Sequence, residues 1–211
     1  VLTPARIVPS PLTRAITMMK QSLLLMSLVA ITTLTLSPMA SAIEEPRYEV
    51  ITAWEEHSIE LRSYAPRLLA VTTMTQGQNN GFRVLAGYIF GGNTSDQKIA
   101  MTAPVQRSMD DSAEMAFMMP AEYSLSDLPT PEDDRVSFRE APGYTAAVIQ
   151  FSGWADMEKA EANWQVLQAF LTERDIAITG EPSLNQYNPP WTLPFMRRNE
   201  IIVPISDAES A

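Results

Sequence analysis

The 211-residue chain has no cysteine and a single histidine, His57. Without thiols it has no disulfide framework, no thiol nucleophile and no thiolate metal site. With one imidazole it has no histidine relay and no His-Glu-x-x-His zinc motif. Basic residues are scarce too: 15 Lys and Arg against 25 Asp and Glu, a formal charge of −10. A field of that sign opposes nucleic acid and anionic membranes at long range, so neither is expected as a partner. Gly-x-Ser-x-Gly does not occur, and Gly91-Gly92-Asn93 carries no phosphate-loop lysine. Glu132-Asp133-Asp134 lacks the alternating ligands and glycine of a calcium loop, so it reads as a solvated loop.

One long apolar run is present, from Leu23 to Leu36, after Met19-Lys20 and before Ser37-Pro38 and Ala40-Ser41-Ala42. A positive start, a short apolar core and small residues at the exit describe a secretory signal peptide. A retained membrane anchor is the alternative, but a spanning helix needs about 20 apolar residues. This run is shorter and is interrupted by Thr32, Thr33 and Thr35. Residues ahead of Met18 and Met19 read as an upstream extension. Residues 1–42 are therefore expected to be removed, leaving 43–211 as one domain with a formal charge of −13. The expected location is the periplasm or outside the cell, with no stable membrane insertion after cleavage.

Within 43–211, residues 47–54, 58–64 and 67–75 read as strands, the second alternating Ile59 and Leu61 with Glu60 and Arg62. Residues 81–90 place Phe82, Leu85, Tyr88 and Ile89 at helical spacing, with Asn80 as a cap. Residues 98–105 read as a strand with Ile99, Met101, Ala103 and Val105 on one face. A hairpin turn at 110–112 leads into 114–119, and the proline- and acid-rich stretch 120–134 reads as a loop. Strands follow at 136–140 and 144–152. The clearest helix runs over 156–174, capped by Asp156, with Ala160, Trp164, Leu167 and Leu171 as its apolar stripe. Residues 185–194 form a proline-aromatic loop before a final strand at 199–205. The order predicts an α+β fold with a mostly antiparallel sheet, two halves, and two helices on one side.

Four segments together carry a resemblance. They are Ile59-Glu60-Leu61-Arg62-Ser63-Tyr64, Lys98 to Val105 (KIAMTAPV), Phe117-Met118-Met119-Pro120, and Tyr187 to Glu200 (YNPPWTLPFMRRNE). In these the chain resembles the SOUL family of haem-binding proteins, from about Tyr48 to Ile205. The resemblance implies a distorted antiparallel β-barrel of two pseudo-symmetric halves, each with one helix. It also implies non-covalent binding of haem or a related tetrapyrrole on a shallow apolar surface, with no catalytic centre. The wall maps to Arg83, Leu85, Tyr88 and Ile89 on the first helix and to Phe195, Met196 and Arg197 on the loop before the last strand. Lys98 lies close enough in sequence to reach the same edge.

Chemistry sets the roles. A tetrapyrrole offers a broad apolar face with carboxylates at one edge, so its site needs an apolar wall and a cation at the rim. The alternatives stay open: Leu85, Tyr88 and Ile89 as core residues, and the arginines as partners of Glu200. His57 lies between Glu56 and Ser58 and reads as a solvated turn residue in preference to an axial iron ligand. The strand methionines read as packing. Two other functions compete: a binding module for another hydrophobic small molecule, and a hydrolase of hydrophobic esters. The former, as a binder of cations, would need an acidic cleft. The latter would need a nucleophile beside His57.

Export predicts a mature chain beginning at Ile43, after Ala40-Ser41-Ala42. N-terminal sequencing of the exported protein checks this. Recovery of most of it with Leu23 to Leu36 intact would contradict cleavage.

Overall fold

A computed structural model describes residues 43–74, 80–110 and 113–206; the signal and extension calls, at 1–42, fall outside the described residues. Nine strands follow in chain order: β1 Tyr48–Trp54, β2 Ile59–Tyr64, β3 Arg67–Thr73, β4 Val105–Ser108, β5 Glu114–Met118, β6 Ser137–Ala141, β7 Tyr144–Phe151, β8 Ser183–Gln186 and β9 Asn199–Pro204. Helix α1, Gly81–Ile89, lies between β3 and β4, and α2, Met157–Thr172, between β7 and β8. The strands form one antiparallel sheet in the order β1-β2-β7-β9-β8-β4-β5-β3-β6.

That order contains a repeat. The run β3-α1-β4-β5 places its strands as β4-β5-β3, and the run β7-α2-β8-β9 places its strands as β8-β9-β7. The two copies meet where β4 pairs with β8. The sheet is also forced to curl. β2 and β3 lie six strand spacings apart in the sheet order, about 29 Å if the sheet were flat. Only Ala65-Pro66 joins them, and three residue steps reach about 11 Å. Pro142-Gly143 imposes the same condition on β6 and β7. The result is a curled half-barrel, the α+β distorted barrel that the sequence predicts.

Register fixes which side the helices occupy. Directly opposed residues share a face, so Met115, Arg107, Leu184, Ile201, Ile149 and Ile59 run across one side of the sheet. Met115 packs in a core with Val84, Leu85, Tyr88 and Ile89 of α1. Leu184, Ile201, Ile149 and Ile59 pack with Ala160, Leu167 and Leu171 of α2. Both helices therefore cover the same face. Asp156 caps α2, accepting from the Lys159 amide at 2.8 Å, and the stripe read from sequence is the buried one.

Two expectations need correction. Residues 98–104 do not form a strand; β4 begins only at Val105. The Ile99 amide instead donates to Ile89 O at the end of α1, and the Ala103 amide donates to Glu44 O. Backbone groups committed to a helix end and to the N-terminal segment cannot join the ladder. Conversely, Ser183–Gln186 is a strand although 185–186 read as loop. Its polar side chains are held by pairing with β4 and β9, which the local sequence does not encode.

Tyr88 is buried in the first core and donates its hydroxyl to Pro129 O at 3.0 Å. Burial, with Tyr123 nearby, pushes this phenol up to about 12 from an ordinary 10. A raised folded value means that the unfolded chain loses this proton first. The stabilisation is complete below about pH 10 and falls away as pH rises through about 12. Urea unfolding across pH 9–12 is expected to show this loss, and Tyr88→Phe should flatten part of it. A profile identical in wild type and variant would contradict the assignment.

Candidate ligand-binding site

On the face opposite the helices, β2 and β9 bring Arg62 and Glu200 together across the sheet. The guanidinium Nη1 and Nη2 donate to the two Glu200 carboxylate oxygens at 3.0 and 3.2 Å. Its Nε donates to Glu60 at 2.6 Å, and Nη1 also reaches the Tyr64 hydroxyl at 3.1 Å. Tyr187 donates its hydroxyl to Glu200 at 2.7 Å. Both charged side chains are almost wholly buried. Burial works to lower the Arg62 pKa, but Tyr64 and the facing carboxylate more than offset it, so Arg62 stays charged. Tyr64 and Tyr187 are held above the ordinary phenol range, chiefly by burial. The adjoining crevice, lined by Tyr64, Leu69, Met118, Tyr187 and Ile202 among others, holds only about 10 Å³. The acid in this interior is neutralised and the space is closed.

The loop from β8 to β9 behaves oppositely. Trp191 is 82% exposed and Phe195 74%, with Leu193 and Met196 also more than half exposed. Arg197 holds this loop in shape: its Nε donates to Thr192 O at 2.9 Å and its Nη2 to Pro190 O. Its guanidinium also lies 3.9 Å from the Trp154 ring centroid. Trp154, itself exposed, is placed by Gly153, whose amide donates to Pro194 O at 2.8 Å. Gly153 has φ of +97°, a backbone region that favours glycine. The outcome is a loop of exposed apolar side chains, a platform with Arg197 beside it.

The site residues expected from sequence divide between the surface and the core. Phe195, Met196 and Arg197 lie together on this platform. Arg83 is exposed on α1, and Lys98 is exposed just beyond the helix end. Leu85, Tyr88 and Ile89 are 0%, 2% and 1% exposed and belong to the core between α1 and the sheet. They cannot present a wall to a ligand; the large apolar residues that α1 turns outward are Phe82 and, at its end, Phe90. Helical spacing groups the three on one face and that face is the buried one; only the resemblance makes them a ligand wall. Trp154 and Trp191 were missed, although a tryptophan in the proline-rich loop at 189–194 is a readable signal.

His57 is 48% exposed, 3.8 Å from Glu56, and packs on Phe170 with ring centroids 5.4 Å apart. The polar turn therefore does have an apolar neighbour, supplied by α2 and invisible locally. The Phe170 ring is also covered by Arg174, 3.5 Å from its centroid. In the acidic run, Asp133 accepts from Arg135 at 2.9 and 2.6 Å, which holds its carboxyl down at about 2. No group of three or more His, Asp or Glu side chains among the described residues is arranged to hold a metal.

A family profile described as SOUL heme-binding protein matches residues 43–204. The chain belongs to the SOUL family. The match spans the whole sheet and both helices, and haem is the ligand it implies, bound without a covalent link. No curated protein matches the chain. Among solved structures, the EcmrR C-terminal domain is similar with a TM-score of 0.52 at 11% identity, over 75% of this chain and 98% of that one. A hydrolase from Listeria innocua gives a TM-score of 0.52 at 11% identity, over 71% and 92%. At such identity the likeness is one of fold. SOUL proteins are a binding family, and a likeness of fold to structures described as hydrolases does not decide otherwise. No described helix is long and apolar enough to cross a membrane.

Haem suits the platform in two respects and not in a third. Exposed tryptophan, phenylalanine and methionine can cover a porphyrin face, and Arg197 can meet a carboxylate. No imidazole lies on that loop, so axial ligation by histidine is not part of the arrangement.

Removing one partner from a buried ion pair leaves an uncompensated charge. Glu200→Gln is therefore expected to cost about 3 kcal/mol, read as a lower urea midpoint. A loss below about 1 kcal/mol would mean that Glu60 alone suffices for Arg62.

Proposed function

We propose that this chain is an exported SOUL protein that carries haem or a related tetrapyrrole on the platform of Trp154, Trp191, Leu193, Phe195 and Met196. The observation that carries the reading is the exposure of Trp191 and Phe195 on a loop pinned by Arg197. Large apolar side chains held in water are costly unless something covers them. Covering a few hundred Å² at roughly 25 cal/mol per Å² contributes several kcal/mol before association costs. An exposed cation adds only ~0.2–1 kcal/mol. Affinity thus comes from the rings, and Arg197 orients the carboxylate edge. Export is supported by the signal-like pattern of Lys20, the apolar run Leu23 to Leu36 and Ala40-Ser41-Ala42.

A site for hydrophobic cations is less well supported. Glu200 is neutralised by Arg62 beside a crevice of about 10 Å³, and at the larger cleft Glu44 accepts from the Ala121 amide and Glu45 pairs with Arg198. Ester hydrolysis is less well supported too. His57 has Glu56 and the Phe170 ring as its partners, and no hydroxyl is hydrogen-bonded to it among the described residues.

Haem titrations followed at the Soret band test the platform. Trp191→Ala and Phe195→Ala should each weaken binding by about fivefold or more. Arg197→Gln and Lys98→Gln should do less, and His57→Ala should leave affinity within about threefold. A His57→Ala variant that loses a six-coordinate spectrum would move the site to the β1–β2 turn.

A further inference from the structure

A second cleft, with no lining residue in common with the platform, lies at the corner where β2 passes into β3. The segment Glu44–Arg47 crosses this corner, tied down where the Ala103 amide donates to Glu44 O and the Ala65 amide to Arg47 O. Beneath it is a cavity of about 220 Å³ whose lining includes Pro46, Arg47, Arg67, Leu68, Met119 and Tyr123. A neighbouring groove of about 460 Å³ shares Arg67, Leu68 and Tyr123 and continues to Leu125 and Pro142. Arg67 lines both, and it also borders the small closed crevice.

Five of the ten arginines among the described residues form no ion pair with a carboxylate, and of those five Arg67 is the one with a buried, unpartnered nitrogen. Arg62, Arg135, Arg139, Arg174 and Arg198 each face a carboxylate. Arg67 faces none among the described residues. Its Nη2 donates to the Tyr144 hydroxyl at 3.0 Å, and the guanidinium lies 4.9 Å from the Tyr144 ring centroid. Its Nη1 is buried with no hydrogen-bond partner among the described residues. A buried cationic N–H without an acceptor is costly. The acids at the rim are committed elsewhere: Glu44 accepts from the Ala121 amide at 3.0 Å, and Glu45 pairs with Arg198. Glu140 lines the outer groove.

We propose that this cleft binds a small organic monocarboxylate with a short apolar body, its carboxylate received by Arg67 Nη1. A planar carboxylate matches a guanidinium edge, and Pro46, Pro66 and Tyr123 supply the accessible apolar walls. Acids at the rim penalise a dianion, which argues against phosphate. The modest volume argues for a short chain.

The test is a heteronuclear NMR titration of the purified protein with octanoate and, separately, with 1-octanol. Octanoate is expected to shift the amides of Leu68, Met119, Ala121 and Tyr123 and to bind about tenfold more tightly than octanol. Arg67→Gln should abolish that preference, and Arg67→Lys should retain part of it. If Arg67→Gln does not fold, Ala121→Trp at the rim should block octanoate instead. Phe195→Ala should leave the octanoate titration unchanged, so failure here is distinguishable from failure of the haem reading. Equal binding of octanoate and octanol, a preference that survives Arg67→Gln, or shifts centred on residues 191–197 would overturn the assignment.

Discussion

Two connections of two residues each dictate the architecture. Ala65-Pro66 and Pro142-Gly143 join strands that lie six positions apart in the sheet. Each can be made only if the sheet curls until its distant strands approach. Proline stiffens both links, and Gly143 passes close to β2, where a Cβ would sit 3.0 Å from Tyr64 O. Curling puts the helices on the outer face, one for each half of the repeat. It also turns the other face inward, where β2, β3 and β9 share a crevice.

The inward face is where charge management matters. Arg62 and Glu200 lose most of their hydration there, and they persist because each donor and acceptor is matched by the other, by Glu60 or by a tyrosine. Such a pair adds little net stability over a well-packed apolar pair of similar volume. Its effect is on geometry, tying β2 to β9 at one register. Tyr48 covers the guanidinium, 4.2 Å from ring centroid to carbon, and so completes the enclosure from the edge strand.

Periodicity made part of this legible. The stripe of Ala160, Leu167 and Leu171 and the Asp156 cap were readable because α2 has one wet face and a single strong start signal. In α1 the spacing likewise groups Leu85, Tyr88 and Ile89 on the face that is buried, although Phe82, read with them, is half exposed; what the structure overturns is the wall role that the resemblance implies for the three. β8 was hidden because its partners, not its composition, make it a strand. Arg62 and Glu200 are 138 residues apart, and nothing local joins them. The platform was half legible: the motif Tyr187 to Glu200 contains Trp191, but the wall mapped from the resemblance takes only Phe195, Met196 and Arg197 from it, and Trp154 lies outside the motif.

These observations bear on where any SOUL ligand can sit in this chain. A half-barrel invites a ligand into its concavity, yet here the part between β2 and β9 is occupied by tyrosines and an ion pair, and the Glu44–Arg47 segment crosses the corner that holds the cavity of about 220 Å³. A tetrapyrrole would have to displace that pair from its own hydrogen bonds, exchanging satisfied buried charges for unsatisfied ones. An outer surface imposes no such exchange. The β8–β9 loop offers exposed apolar area on a backbone held by carbonyl contacts to Arg197. Paired charge inside and exposed rings outside together support the proposal that a ligand is taken on the outer loop.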